Sequence, residues 1–152
     1  MSLGATAILD VIVSRAMATG LFERVNAHEP LNPPGNGLTC AVWADRVGPA
    51  DSSGLASSDV QILFKVRIYS SMLQEPQDAI DPGVLNAVDV LVAGYMSGFT
   101  LGGSVKTIDI RGMAGTSLDA QAGYVPVQGG TPMRVMTITL PVIVNSVWDE
   151  VA

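Results

Sequence analysis

Apolar residues recur at Ile8, Leu9, Ile12, Val13, Ala16, Met17 and Leu21, in the steps of three and four that line one stripe of a helix. This spacing predicts a first helix within Leu3–Val25, with Asp10, Ser14, Arg15 and Thr19 left mainly to the other side. Thr6 or Ser2 is suited to cap its start, although Gly4 unsettles the first turn. The stretch "NAHEPLNPPGNG" then places three prolines and two glycines in twelve residues, which can continue neither a helix nor a strand.

Beyond that loop the period changes to two. Leu38, Cys40, Val42 and Ala44 alternate with Thr39, Ala41, Trp43 and Asp45, the mark of a strand. "DVQILFKVRIYSSML" alternates again, with Val60, Ile62, Phe64, Val66 and Ile68 on one face and Gln61, Leu63, Lys65, Arg67 and Tyr69 on the other. Between the two strands lies "GPADSSGLASSD", residues 48–59. A hairpin needs only about two to five residues to turn, so this length is either slack or an arm that reaches another molecule.

"QEPQDAIDPG" leads into a second helix, where Asp81 suits an N-cap and Pro82 the first helical position, whose N–H needs no partner. Val84, Leu85, Val88, Leu91, Val92, Tyr95 and Met96 form its expected buried stripe, and Gly98 its stop. The last third reads as strands at "SVKTIDIRGM", "AGYVPVQ" and "MRVMTITLPVIVN", with "AGTSLDAQ" and "GGTP" as connections. Pro126 points to an edge or bulge and Pro141 to a bend or a locally unpaired edge. The order α-β-β-α-β-β-β predicts an α+β two-layer sandwich. It has a mainly antiparallel sheet of about five strands, two helices on one face and the other face open to water, the long loop or a neighbour.

Length and composition then narrow the class. The 152 residues fit one domain, 1–152, with a substantial core. Apolar residues make up 48% and charged ones only 14%, below the roughly 25% usual in soluble domains, so part of the surface is expected to be covered by partners. The longest apolar runs are broken by charges and fall short of the ~20 residues that span a bilayer. "MSLGATAILDVIVSR" lacks the basic start of a signal peptide and carries a carboxylate inside its apolar stretch, which leads to the expectation of a protein that is cytosolic where it is made, with no membrane contact. The net charge of −6 argues against gripping nucleic-acid phosphates, yet it suits a wall that DNA slides past.

Candidate chemistry is sparse. The single cysteine, Cys40, excludes an internal disulfide and a cysteine-clustered zinc site, and reads as a buried strand residue. His28 is the only histidine. "LGGSVK" leaves a helix rather than opening one, so it presents the wrong dipole end to a phosphate. Ser117 and Asp119 lie far in sequence from any base, and Glu75, Asp78 and Asp81 suit the positive end of the second helix. Asp149 and Glu150 read as a solvated tail. No catalytic residue, cofactor site or metal site is expected. Lys65 and Arg67, two cations on one strand face of an acidic chain, are the more telling pair: they match either local acids or a neighbour's.

The run "SSDVQILFKVRIYSSMLQEPQDAIDPGVLNAVDVLVAGYMSGFTLGGSVKTIDIRGM", with "AGYVPV" and "RVMTITLPVIVNSVW", resembles the tail-terminator proteins of long-tailed, siphovirus-type bacteriophages, especially those of actinobacteria. The resemblance extends over residues 1–152 in element order and length. It implies a virion structural protein without an enzymatic step, located at the head-proximal end of the tail and assembled in the host cytoplasm. It also implies a homohexameric ring that caps the tail tube protein, ends tube polymerisation and offers a surface to a head-side connector or stopper, while genomic DNA passes through its lumen. No catalytic residues carry over. Candidate contacts with a neighbouring subunit or the tube are the arm (Asp51, Ser52, Ser53, Leu55 and Ser57), Lys65 and Arg67 against a neighbour's acids, and exposed Trp43 or Trp148. Two other readings stand beside this one: another head-to-tail joining protein of the neck, and a small α+β enzyme with a site at His28 or Asp81.

Overall fold

A computed structural model describes residues 4–22, 24–27, 38–49, 57–70, 80–97, 107–112, 115–125 and 133–149, with the backbone alone for 57, 58 and 145–149. The chain is α+β, in the order α1 (Ala5–Ala18), β1 (Arg24–Asn26), β2 (Thr39–Pro49), β3 (Ser57–Ser70), α2 (Ile80–Met96), β4 (Thr107–Ile108), β5 (Asp119–Val125) and β6 (Met133–Asp149). His28 and most of the proline-rich stretch lie outside the described residues, as do Glu75, Asp78, Gly98 and Pro126.

α1 follows Gly4, at a left-handed φ of 66°, which has no side chain to cap the helix; Thr6 lies inside the helix and Ser2 outside the described residues. Its far end is set by Thr19 and Gly20. The Thr19 hydroxyl donates to the Ala16 carbonyl at 2.7 Å and accepts from the Leu21 N–H at 3.3 Å, and Gly20 takes a φ of 71° that only glycine adopts without strain. The helix therefore stops at Ala18, well short of the expected Val25, which belongs to β1. Leu21 misled the periodicity because it packs on the core from outside the helix. Met17 is exposed rather than part of the buried stripe.

β3 is the centre of the sheet. Strand order is β1-β2-β3-β6, and both β4 and β5 pair with the far edge of β6. β1 runs parallel to β2 and the other four pairings are antiparallel, so the six-stranded sheet is mixed, with the parallel β1 as the departure from the antiparallel pattern expected. The expected strand at 104–113 reduces, within the described residues, to Thr107–Ile108, because a turn at Ile110–Arg111 folds the chain back. β5 begins three residues inside the expected connection, at Asp119.

The interval 48–59 also contracts. Gly48 and Pro49 belong to β2 and pair with Gln61 and Val60, while Ser57 and Ser58 pair with Asp149 and Trp148 of β6. Both strands reach into the stretch that reads as a loop because an extended ladder needs backbone groups, not apolar side chains.

Val60, Ile62, Phe64, Val66 and Ile68 are wholly buried and share one core with Ile8, Ile12 and Ala16 of α1 and Val84, Ala87, Leu91 and Tyr95 of α2. Each such aliphatic side chain contributes about 1.5–3 kcal/mol by leaving water. Ala87 takes a buried position on α2, whereas Leu85, expected in the stripe, is 57% exposed. α2 begins at Ile80, so Asp81 stands in its first turn rather than at the cap, and its carboxylate accepts from Arg134 Nε of β6 at 3.0 Å.

Pro141 sits in the middle of β6 without breaking the sheet. Its carbonyl accepts from the Asp109 N–H at 2.9 Å, and because a strand residue's N and O point to the same side, its missing N–H faces the β4 edge and not β3. Pro141 thus lies in the gap between β5, which ends its pairing at Thr139, and β4, which begins at Val142.

Candidate functional site: the cationic sheet face

The face of β3 turned away from the helices carries Gln61, Leu63, Lys65, Arg67 and Tyr69, and the register of the neighbouring strands decides what surrounds them. Lys65 stands between Trp43 of β2 and Thr139 of β6, and Arg67 between Ala41 and Thr137. β5 continues these rows with Asp119 opposite Thr139 and Gln121 opposite Thr137.

Hydroxyls orient both cations. Lys65 Nζ donates to Thr139 Oγ1 at 2.8 Å, and Arg67 Nε donates to Thr137 Oγ1 at 2.9 Å. The Arg67 guanidinium also lies 5.1 Å from the centroid of the Trp43 ring, within range of a cation–π contact. The threonines fix where the two charges sit. Trp43 is half-buried rather than exposed.

These side chains floor a concavity of about 420 Å³, walled on one side by Trp43 and Asp45 and on the other by Gln121–Val125. Asp45 lies on this rim two residues after Trp43, at an irregularity in the β2–β3 ladder: Ala44 pairs with Phe64 and Arg46 with Leu63, so Asp45 has no rung of its own. At the Tyr69 end the face is closed by a second apolar cluster of Ala41, Tyr69, Met133 and Val135, against which Trp43 and Val125 pack. At the other end the loop after β4 folds onto Gln61, whose side-chain N–H donates to the Thr116 carbonyl at 3.4 Å. Gly115 is required there, with a φ of 148° and a Cβ position only 2.6 Å from Gln61 Oε1.

Of the residues singled out from sequence, the structure brings Trp43, Lys65 and Arg67 together. Asp51, Ser52, Ser53 and Leu55 lie outside the described residues. Ser57 and Trp148 are placed by backbone at the opposite end of β3, where Ser57 pairs with Asp149 and Ser58 with Trp148. The sequence reading missed Thr137, Thr139, Gln121 and Asp45. The alternation in "MTITL" puts both threonines on one face, but only the β3–β6 register sets them under the two cations.

Burial pushes the Cys40 thiol up to about 12, which leaves it protonated and a poor nucleophile. Burial first, and then the nearby Cys40, also raise the Tyr95 phenol, while Arg15 opposes them. Among the described residues no three His, Cys, Asp or Glu side chains gather as a metal site. Asp81, a candidate acid in the enzyme reading, is largely solvent-exposed and tied to Arg134. No helix among the described residues is long and apolar enough to cross a membrane. No protein-family model matches the chain, and no curated protein matches it at a significant level.

Proposed function

We propose that this protein is a virion structural subunit of the tail-terminator type. In this reading it forms a homohexameric ring that caps a phage tail tube, ends tube polymerisation and presents the surface on which a head-side connector or stopper docks, with DNA passing through the lumen. The architecture is read as a two-layer sandwich whose helix layer covers one sheet face and leaves the other for a neighbour.

The observation that carries the reading is the second face of the sheet. In a chain of net charge −6, Lys65 and Arg67 stand side by side in a concavity, held in place by threonines and a tryptophan. Fixing two like charges in a shallow depression has a cost that an acidic partner relieves. The resemblance of the β3–α2 region and of β6 to tail terminators supports the identity of the assembly.

Native mass spectrometry and negative-stain microscopy, with and without purified tail tubes, test it. Six-membered rings or ring-capped tubes are the expected result; a strict monomer under both conditions overturns the reading. Capture by the head-side connector but not by the tube protein assigns the chain to the neck instead.

A further inference from the structure

The concave sheet face and the helix layer lie on opposite sides of one subunit, and they match each other in chemistry. α2 turns Leu85, Asn86, Asp89 and Ala93 outward, at steps of one, three and four that form a single exposed stripe. Leu85, 57% exposed, stands one turn from the exposed Asp89 and gives this stripe one apolar and one acidic group. Among the described helix residues the acids Asp10, Asp81 and Asp89, all exposed, outnumber the cation Arg15, which donates to the Gly94 carbonyl at 3.1 Å, and this leaves the layer acidic.

We infer that copies of this chain associate head to tail, the Leu85–Asp89 stripe of one copy seating in the concave sheet face of the next. Asp89 opposes Arg67 and Lys65, and Leu85 covers Trp43. The spacing agrees. Residues four apart on a helix are separated by about 6 Å along the axis, and residues two apart on a strand by about 6.6–6.8 Å, so one acid and one apolar anchor match the Arg67 row and the Trp43–Lys65 row together. The groups facing Asp89 also include acids: Asp45 on the rim beside Trp43, and Asp119 beyond Thr139. Both lie toward the Lys65 row, which directs the incoming carboxylate to the Arg67 end and gives the contact one polarity.

Such an interface is heterologous, so it closes into a ring or runs on as a filament. Its closure with six members rests on the proposed function, whereas the pairing of the two surfaces stands without it.

Charge exchange tests the pairing. Asp89→Lys and Arg67→Glu are made singly and together, and the assemblies are followed by sedimentation velocity and native mass spectrometry, with circular dichroism melting as the check on folding. Each single reversal is expected to weaken self-association by about tenfold or more. The double variant, and a 1:1 mixture of the singles, are expected to recover most of it, because each reversed acid then meets a reversed base. Leu85→Ser weakens assembly without any such rescue. A wild-type chain that stays monomeric at every concentration, folded single variants that assemble normally, or a folded double variant that does not recover overturns the inference. Rings that cap tubes yet ignore the reversals sink this interface alone; assemblies that obey the charge exchange but never cap tubes sink the tail-terminator reading alone.

Discussion

The guanidinium of Arg67 lies over the ring of Trp43, 5.1 Å from its centroid, although the two are not opposite each other in the ladder: Trp43 pairs with Lys65, and Arg67 with Ala41. The contact is a diagonal one, which a long side chain can make across neighbouring strands because a small residue, Ala41, occupies the direct position. The stack and the Thr137 hydrogen bond together hold Arg67 flat against the sheet.

Trp43→Ala is therefore expected to lower the stability of the isolated subunit by about 1–2 kcal/mol, combining a cation–π contribution of roughly 0.5–1 kcal/mol with lost burial of a half-covered ring. Trp43→Phe, which keeps an aromatic face, recovers part of the loss. Urea unfolding measures both, and an unchanged midpoint for the alanine variant contradicts the stack.

The Tyr95 hydroxyl donates to the Ile12 carbonyl at 3.2 Å, a buried bond that ties α2 to α1. Ile12 lies inside α1, where its carbonyl also serves the helix ladder. Tyr95→Phe thus leaves no acceptor wholly unsatisfied, and the cost is set at about 1 kcal/mol by the lost bond. Tyr95→Ala opens a cavity at a fully buried site and costs about 3–5 kcal/mol. Thermal and urea unfolding separate the two cases.

Stability falls as pH rises above about 9. There the unfolded chain ionises Cys40 near its ordinary value of 9.0, while the folded thiol, pushed up to about 12, keeps its proton. The unfolded state then binds fewer protons than the folded one, so the slope with pH is negative, at most about 1.4 kcal/mol per unit for one group, and it levels off as the folded thiol titrates. Raised Tyr95 acts in the same direction. Cys40→Ala is expected to flatten the fall between pH 9 and the folded value near 12, measured by urea unfolding at stepped pH. An equally steep fall in that variant removes Cys40 as the cause.

Arg134 joins Asp81 at 3.0 Å and lies 4.7 Å from the centroid of the Tyr124 ring, yet Asp81 is 63% exposed. Solvent screens such a pair, so Arg134→Ala is expected to cost no more than about 1–2 kcal/mol, with the ionic share shrinking in high salt. A loss that is independent of salt assigns the effect to the Tyr124 stack.

Deleting residues 51–55 removes none of the described rungs of the ladder, because β2 is paired through Pro49 and β3 from Ser57 onward. The subunit is expected to keep its melting temperature and, under the proposed function, to lose its ability to cap tubes. A shortened protein that caps tubes normally makes the stretch slack. Extending the deletion to Ser57 cuts into the Ser57–Asp149 pair and confuses the two outcomes.

Much of the fold was legible because burial on one face writes its period into the chain. The alternation from Val60 to Ile68 placed β3 and divided its two faces correctly, and the stripe Val84, Leu91 and Tyr95 placed α2. β1 was not legible: three residues have no period, and Val25 continued the apolar rhythm of α1 after Thr19 and Gly20 had ended the helix. Leu85 and Met17 misled for a related reason, since an apolar residue near a stripe is not necessarily in it.

The sequence by itself determined that two helices and a set of strands share one core, and that Lys65 and Arg67 project from the same strand face, because these follow from the periods of helix and strand. Only the tertiary structure decided what those cations meet. Thr137 and Thr139 reach them across 70 and 74 positions of chain, Gln121 joins the same rows through the pairing of β5 with β6, and the arm of 48–59 is shortened at both ends by backbone pairing. Register and bulges depend on hydrogen bonds between distant segments. Local periodicity records which face a side chain takes, but not which strand lies beside it.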